Sequence, residues 1–324
     1  MQIFRTIFEL PEFPFKMNYL SKSIFIGSCF TENIGIYLKE RRFNAIINPF
    51  GIIYNPVSIS NSIRFLSNSR IFEEKDICYH NELWFSFHHH GRFSDTDKKN
   101  CLDKINVSIH EASEFIRHAD FLFLTFGTAF IYTHKETNEV VANCHKFPAE
   151  TFTKSLLNPE KIIEEYASTF NYLLKINPEL KIIFTVSPVR HWKDGAVENQ
   201  LSKSILFVAI HEIVKNFSNC FYFPAYEFIM DDLRDYRFYA EDMTHLNETA
   251  TGYIRLKLRQ SMIAEDAQEI MDEIQKLLQA KNHKPFNPDT ASCKHFKQNC
   301  LKRTIVLKEQ YPFLDLREFI EYFG

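Results

Sequence analysis

The sequence predicts an α/β protein, a three-layer α/β/α doubly wound domain built on a parallel five-stranded sheet, with a helical appendage at the C-terminal end. Short runs of apolar residues recur along the chain, and such runs are typical of strands buried on both faces of a parallel sheet. Longer segments with helical spacing of apolar residues alternate with these runs. We therefore expect one main domain over residues 1–260 and a helical extension over residues 261–324.

The predicted elements follow one another in a regular order. The strands that the apolar runs indicate span residues 23–26, 43–47, 121–129, 181–186 and 220–224. The helices that the periodic segments indicate span about residues 31–41, 56–66, 101–118, 159–177, 200–216 and 248–279. Because a helix follows most strands, the pattern predicts parallel strands with helices on both faces of the sheet.

Two regions depart from this alternation. Residues 68–100 show little helical periodicity and predict a β-hairpin or an irregular insertion near the mouth of the site. Residues 281–302 are basic and are predicted to be irregular, before a short helix that follows Pro312. We expect residues 280–324 to pack on the main domain or on a second subunit, and in the second case the protein would be a homo-oligomer.

Composition and charge exclude several classes of partner. The chain has 324 residues, of which 45% are hydrophobic, so it can bury a large core. Its 38 Lys and Arg against 41 Asp and Glu give a net charge of −3, which provides no attraction for nucleic acid or an anionic membrane. No apolar stretch approaches the length of a membrane span. We expect a small-molecule substrate as partner, and neither a nucleic acid nor a membrane.

The N-terminal segment and the cysteines predict a cytoplasmic location. Residues 1–16 contain acidic residues and two prolines where a secretory signal needs an unbroken apolar run. The seven cysteines are odd in number and lack C-x-x-C spacing, which suits reduced thiols better than a disulfide framework.

The turn that contains Ser28 and Cys29 is a candidate catalytic turn. It lies where the first predicted strand ends and the first helix begins, after Gly27, which permits a tight turn. Backbone N–H groups and the helix dipole favour an anion at such a position. For a thiol this predicts a lowered pKa, and hence a nucleophilic thiolate near neutral pH.

This turn also resembles known families. Gly-Ser-Cys-Phe at residues 27–30, followed by Thr-Glu, resembles the first block of the SGNH (GDSL-type) hydrolases and the motif after which the GSCFA domain family is named. In this alignment Cys29 takes the place of the SGNH serine, and Ser28 takes that of the preceding aspartate. The resemblance covers about residues 20–260. It implies an SGNH hydrolase-like fold and an esterase-like hydrolase or acyltransferase that needs no cofactor.

Two further segments resemble blocks of the same superfamily. Residues 48–56 resemble the second block, in which a glycine N–H helps to bind the oxyanion; Gly51 matches, and a tight turn that needs glycine is the alternative. The end of the strand at 121–129 resembles the third block, but Ala129 stands where the superfamily has an asparagine that donates to the oxyanion. The polar residues that are candidates to replace that asparagine are Thr128, Asn55 and Asn143.

The Asp-x-x-His at residues 242–245 resembles the fifth SGNH block. The resemblance implies that His245 is the general base and that Asp242 orients its ring. The alternative is a helix cap, since Asn247 is well placed to cap a helix from Glu248. Since the motifs follow successive predicted strands, one set of residues should gather at the carboxyl ends of the sheet: Cys29, Gly51, Thr128, Arg190 and His245.

Two other clusters are candidate binding residues. Arg190 and His191 follow the strand at 181–186 and can hold an anionic or polar substrate; a surface turn is the alternative. The GSCFA resemblance implies that the polar segment 140–148, with Asn143 and His145, lines the site, and a plain loop after the third strand is the alternative. Within it, Cys144 and His145 are a rival nucleophile and base, behind Cys29 because sequence neighbours rarely share the required geometry.

The histidine and cysteine clusters do not predict a metal site. The run His88, His89, His90 can direct at most two rings to one side, because neighbours in a strand point to opposite faces. We expect these histidines to be solvated or to line the substrate site. The group Cys293, His295 and Cys300 lacks a fourth ligand at normal spacing, so we expect a structural role.

Two functions remain open from the sequence. The first is hydrolysis or transfer of an acyl group from a small ester or thioester, with Cys29 or Ser28 as nucleophile, His245 as base and Asp242 as its partner. The second is ligand binding on an SGNH scaffold whose catalysis has decayed, which Ala129 and the altered Gly-Asp-Ser both permit.

Overall fold

The computed structural model describes residues 6–324. The strands of this part of the chain are β1 (Lys22–Gly27), β2 (Asn44–Ile47), β3 (Cys78–His80), β4 (Leu83–Phe85), β5 (Phe121–Phe126), β6 (Phe130–His134), β7 (Val140–Val141), β8 (Phe152–Leu156), β9 (Lys181–Val186) and β10 (Cys220–Tyr222). Its helices are α1 (Cys29–Glu40), α2 (Pro56–Ser67), α3 (Lys98–Ile116), α4 (Pro159–Ile176), α5 (Ala196–Asn216), α6 (Ala225–Glu227), α7 (Glu248–Met262), α8 (Glu265–Asn282), α9 (Ala291–Gln310) and α10 (Arg317–Phe323).

The main sheet has five parallel strands in the order β10-β9-β5-β1-β2. The strand order reverses beside β1, so the carboxyl ends of β1 and β5 border the crevice in which open α/β sheets bind their ligands. This sheet, with helices on both faces, confirms the predicted doubly wound α/β fold and its five strands.

Alternating side chains of the central strands enter two separate hydrophobic cores. Ile24 and Leu124 belong to the core formed with helices α2 to α5, whereas Phe25 and Phe123 belong to the core formed with α1 and the C-terminal helices. Phe25 and Phe123 are cross-strand partners whose rings stack with centroids 4.5 Å apart. The unbroken apolar runs therefore reflect burial on both faces.

The C-terminal helices differ from the predicted elements in two places. The single helix expected over 248–279 is two helices, because the backbone at the break pairs with the N-terminal segment: Met17 N–H donates to Met262 O at 2.6 Å, and Ala264 N–H donates to Met17 O at 2.9 Å. The segment 281–302, which was expected to be irregular, instead includes the first part of α9, a helix whose buried residues Cys300, Thr304 and Leu307 recur at helical spacing. Basic side chains lie between these buried residues, so their helical spacing is hard to recognise in the sequence.

The same C-terminal helices share a core with the main domain. Leu307 and Phe319 belong to the same buried cluster as Leu38 of α1. At the edge of this contact, Arg42 forms a 2.6 Å salt bridge with Glu318. Within residues 6–324 no helix is both long and apolar enough to cross a lipid bilayer.

Small antiparallel sheets flank the main sheet. The expected insertion contains the hairpin β3–β4, and β6 pairs with β7 and β8 in a three-stranded sheet that the sequence did not predict. The segment at 140–148 begins with β7 and then becomes a loop. These strands are only two to five residues long, so they lack the longer apolar runs by which the central strands were recognised.

Candidate active site

The turn between β1 and α1 requires a glycine. A Cβ atom on Gly27, whose φ is +150°, would overlap the backbone of Thr125 on the neighbouring strand. The Gly27 N–H donates to the side-chain oxygen of Asn48 at 2.9 Å, which joins this turn to the loop after β2. The close approach of β1 and β5 therefore fixes where the next two residues lie.

Ser28 and Cys29 follow as the N-cap and the first residue of α1. The Ser28 side chain is buried, forms no capping hydrogen bond, and its Oγ has no partner in the part of the chain that the structure describes. Cys29 is half-buried and, with Ser28, lines a cavity of about 400 Å³. The thiol is thus the more accessible of the two candidate nucleophiles.

Burial raises the pKa of the Cys29 thiol. The backbone N–H groups of Phe30 and Cys29 and the charge of Lys203 lower it, while Glu32 raises it further. Burial outweighs the helix N-terminus, so the predicted low pKa is wrong. The thiol therefore needs a base to remove its proton near neutral pH.

The cavity beside Cys29 brings together most of the candidate residues. Those that line it are Ser28, Cys29, Asn55, Thr128, Asn143, Arg190, His191 and His245. Asp242 lies behind His245, and Gly51 and His145 are not part of its lining. Segments after β1, β5 and β9 all contribute, as expected at the carboxyl ends of a parallel sheet.

His245 and Asp242 form an oriented pair on the rim of this cavity. His245 Nδ1 lies 2.6 Å from Asp242 Oδ2, and the backbone N–H groups of Thr244 and His245 both donate to Asp242 Oδ1 at 2.9 Å. These hydrogen bonds, that of the His245 ring first, hold the pKa of Asp242 far below its usual range. A carboxylate on Nδ1 leaves Nε2 as the nitrogen that can accept a proton.

The helix cap suggested as the alternative is present, and Asn247 forms it as expected. Asn247 Oδ1 accepts from Ala250 N–H at 3.0 Å and caps α7. Asp242 is therefore available to His245. Both side chains are about half exposed, at 51% for Asp242 and 55% for His245.

Gly51 occupies a tight turn outside the cavity. Its N–H donates to Asn48 O at 2.7 Å, and its φ is +80°. A Cβ at this position would overlap His90, so the turn needs glycine. The geometry favours the tight-turn interpretation over an oxyanion donor, because the N–H is already paired.

The three polar residues proposed to replace the missing asparagine have different hydrogen-bond states. Asn55 caps α2, accepting from Ser58 N–H at 2.8 Å and donating to Ser58 Oγ at 3.0 Å. Thr128 Oγ1 contacts Ser202 Oγ at 3.0 Å. Asn143 Oδ1 accepts from His145 N–H at 2.8 Å, which leaves the amide Nδ2 of a cavity-lining residue for a ligand.

His145 supports the wall of the cavity from behind. Its Nε2 lies 2.9 Å from Ser86 O and 3.1 Å from His89 O, and its ring packs on Phe85. Cys144 lines the cavity, but these contacts hold the His145 ring against the insertion instead. The two residues do not form a nucleophile and base pair.

The run of three histidines is also structural. His89 is fully buried, stacks on Phe50 and contacts Phe72 and Phe93 edge-on. Neither of its ring nitrogens has a partner among the described residues. Burial lowers its pKa well below 6.5, so the ring is neutral. Over residues 6–324 no group of three His, Cys, Asp or Glu side chains has an arrangement that holds a metal ion.

Lys203 is a residue of the site that the sequence reasoning missed. It is fully buried in α5, and its Nζ donates to Gly127 O and Ser187 O, each at 2.7 Å. Burial, with the charge of Arg190, lowers its pKa to about 7, while Cys29 opposes this shift. The sequence does contain a signal for the burial of Lys203: residues 199, 203, 206 and 210 recur at helical spacing on the buried face of α5.

Arg190 and His191 lie on the wall formed after β9. His191 packs edge-on against Tyr54 with centroids 5.3 Å apart, and its N–H donates to Asn199 Oδ1 at 2.9 Å. Burial, followed by the charge of Lys203, lowers the His191 pKa to about 4, so the ring is neutral. The buried Nε of Arg190 has no hydrogen-bond partner within residues 6–324.

The chain is similar to one known protein family over most of its length. A sequence model described as the GSCFA family matches residues 22–257, and a second, described as the C-terminal domain of GSCFA domain proteins, matches residues 274–324. Among solved structures, a carbohydrate esterase family 3 protein from Talaromyces cellulolyticus aligns with a TM-score of 0.36 and 11% identity, over 79% of this chain and 99% of that one. Among curated proteins there is no match.

Proposed function

The chain belongs to the GSCFA family, and from this premise we propose that it cleaves or transfers an acyl group of a small ester or thioester. The observation that carries the proposal is the 2.6 Å contact between His245 and Asp242, in a loop whose histidine lines the same cavity as Cys29. In the proposal Cys29 is the nucleophile, His245 is the base and Asp242 is the carboxylate that orients it.

In the proposed reaction, His245 Nε2 takes the proton of the Cys29 thiol as Sγ attacks the carbonyl carbon of the substrate. The carbonyl oxygen becomes an oxyanion, which the Cys29 N–H and the Asn143 amide stabilise. The bond to the leaving group then breaks, and His245 returns the proton to that group. Water, activated by His245, or an acceptor alcohol or thiol releases the acyl group and restores the thiol.

Asp242 has a positioning role in this scheme. Its carboxylate keeps the His245 proton on Nδ1, so that Nε2 stays free to act as base. It also stabilises the imidazolium that forms during attack. The raised pKa of Cys29 makes this base necessary, because the thiol does not ionise by itself near neutral pH.

The test is acylation by an activated ester. Incubation with 4-nitrophenyl acetate, followed by peptide mass spectrometry, should find an acetyl group on Cys29. The matched control is Cys144→Ala, which removes the other cysteine of the cavity and should keep both the adduct and the turnover. An acetyl group found only on residues outside the cavity would contradict the proposal.

The second candidate is a ligand-binding protein on this scaffold. Ala129, where the SGNH hydrolases have an oxyanion-binding asparagine, favours it, because loss of one such donor costs about a hundred- to a thousand-fold in rate. No turnover across a broad panel of esters and thioesters, with ligand binding retained, would support this candidate.

Two further predictions from the sequence belong to this proposal. We keep the division into a domain over residues 1–260 and an extension over residues 261–324. We also propose that the protein is cytoplasmic. Its site uses a free thiol, and a reducing compartment keeps such a thiol from forming a disulfide.

A further inference from the structure

Two cavities meet at Arg190. The first, of about 400 Å³, contains Cys29 and His245. The second has a similar volume of about 400 Å³ and also has Arg190 in its wall. Met243, in the second cavity, and His245, in the first, belong to one short loop. Arg190 is therefore the wall residue that the two cavities share.

Cationic side chains outnumber carboxylates in the lining of the first cavity. Arg190 and Lys193 line it, and Lys203, whose pKa is about 7, lies beneath its wall. The carboxylate in its lining is Asp194, which is already neutralised by Lys154 at 2.5 Å.

Arg190 itself lacks a protein anion. Across residues 6–324 no carboxylate forms a salt bridge with it, and its buried Nε is without a partner. Its guanidinium lies 5.7 Å from the centre of the Trp192 ring. A buried donor that the protein leaves unpaired costs free energy, and an anionic ligand would remove this cost.

The second cavity is mainly apolar and aromatic. Ile229 and Leu233 are buried in its wall, and Trp192, Tyr236 and Tyr239 surround it. The charged residues of its lining other than Arg190 already have partners: Arg234 pairs with Asp231 at 2.9 Å, and Asp235 with Arg237 at 3.5 Å. This cavity suits the apolar part of a ligand, and Arg190 is the wall residue that it shares with the first cavity.

We propose that the ligand of this site is an anion with an apolar or aromatic extension, whose charged group binds Arg190 and whose extension occupies the second cavity. This ligand class would also be the substrate class of the proposed acyl transfer. Only the claim that the ligand is turned over rests on the proposed function. Carboxylates and phosphates share the chemistry that Arg190 recognises.

The test is a binding measurement that needs no catalysis. The chain has two tryptophans, so a Trp84→Phe variant leaves Trp192 as the fluorescent reporter beside Arg190. This variant is titrated with 4-phenylbutyrate, with its neutral analogue 4-phenylbutanol, and with butyrate, which lacks the ring. We expect saturable binding of 4-phenylbutyrate that is about tenfold tighter than that of either analogue.

Substitutions of Arg190 locate the charge recognition. Arg190→Gln should give both phenyl compounds equal affinity, and Arg190→Lys should keep part of the difference, which separates lost charge from misfolding. Arg317→Gln is the matched control, since that guanidinium is paired with Asp315, lines neither cavity, and its loss should keep the preference. Equal affinities in the Trp84→Phe protein, or no saturation, would overturn the inference.

The test of this inference and the test of the proposed acyl transfer can fail independently of each other. If the protein binds 4-phenylbutyrate in this way but acylates no cysteine and hydrolyses no ester, the acyl-transfer proposal fails and this inference stands. If it hydrolyses 4-nitrophenyl butyrate and mono-4-nitrophenyl glutarate equally well and binds the phenyl compounds equally, this inference fails and the acyl-transfer proposal stands.

Discussion

The buried ammonium group of Lys203 lies 2.7 Å from the carbonyl oxygen of Gly127, the residue that follows β5. A second hydrogen bond of the same length reaches the carbonyl of Ser187, the residue that follows β9. One side chain thus joins the ends of two neighbouring strands, at the point where both chains turn to line the cavity. It holds the wall next to Cys29 in place.

We expect the Lys203 charge to make stability depend on pH. Its pKa falls from 10.5 in the unfolded chain to about 7 in the folded protein. Between these two pKa values the unfolded chain binds more protons than the folded protein does. The contribution of Lys203 to the free energy of unfolding therefore rises with pH in this range. Below pH 7 the buried lysine is charged, and the cost of burying that charge is fully present. Lys203→Met should remove this rise, which urea unfolding at pH 6, 7, 8 and 9 would measure.

The control for this prediction is Lys175→Met, which removes an exposed lysine from a helix. Its free energy of unfolding should differ from that of the wild type by the same amount at every pH. In Lys203→Met the two unpaired carbonyls add a cost that does not change with pH. Parallel pH profiles for the wild type and Lys203→Met would show that the buried lysine does not titrate in this range.

Asp242 should be needed for turnover although it does not contact substrate. Asp242→Asn removes the charge that fixes the His245 tautomer, and loss of a triad aspartate lowers kcat about 10⁴-fold. We expect a loss of this order in the hydrolysis of 4-nitrophenyl acetate, with KM little changed. Glu241→Gln, the neighbouring exposed acid, is the control and should retain full activity. An Asp242→Asn enzyme with normal kcat would assign this pair a purely structural role.

The sequence predicted the features of this protein that depend on local pattern. The runs that contain Phe25, Phe123 and Ile183 are apolar at most positions, so they identified strands buried on both faces. The Asp242 and His245 pair was proposed from the resemblance of Asp-x-x-His to the fifth SGNH block, and a separation of three positions in one loop suffices to bring the two side chains together.

Features that depend on distant contacts could not be predicted in the same way. The acceptors of Lys203 are 76 and 16 residues away in the chain, and no sequence pattern specifies such a pairing. The sequence shows that residue 51 is a glycine, but it does not show which acceptor its N–H finds. In the structure this N–H donates to Asn48 O in the same loop. The pKa of Cys29 depends on how deeply the turn is buried, and that depth is set by the whole fold.

Buried His89 should make the protein sensitive to acid. Its pKa lies well below 6.5 in the folded protein, so as pH falls below 6.5 the unfolded chain takes up a proton that the folded protein does not. Stability is therefore lost as pH falls. His89→Phe should reduce this loss between pH 6.5 and 4.5, because a phenylalanine ring binds no proton in either the unfolded or the folded state.

Urea unfolding at several pH values measures the effect of His89→Phe, with the exposed His110→Phe as control. The control should follow the wild-type profile. Part of the acid sensitivity should persist in His89→Phe, because His191, with a pKa of about 4, titrates in the same direction. An unchanged slope in His89→Phe would mean that His89 is not buried in its neutral form.

The last prediction is that Cys29, not Ser28, is the nucleophile. The Ser28 hydroxyl is 1% exposed and has no hydrogen-bond partner among the described residues, whereas the thiol of Cys29 is half-buried on the cavity wall. Ser28→Ala should therefore keep measurable turnover of 4-nitrophenyl acetate, because it removes a hydroxyl that the protein does not use. Cys29→Ala should be inactive and should resist alkylation by iodoacetamide at this turn.

The histidine supplies a further check on the same assignment. Since burial raises the pKa of Cys29, its alkylation near neutral pH should depend on proton removal by His245, and His245→Ala should slow it. His211→Ala, on the exposed face of α5, should leave the rate of alkylation unchanged. Full turnover in Cys29→Ala would refute the assignment and leave Ser28, despite its burial, as the remaining hydroxyl at the helix N-terminus.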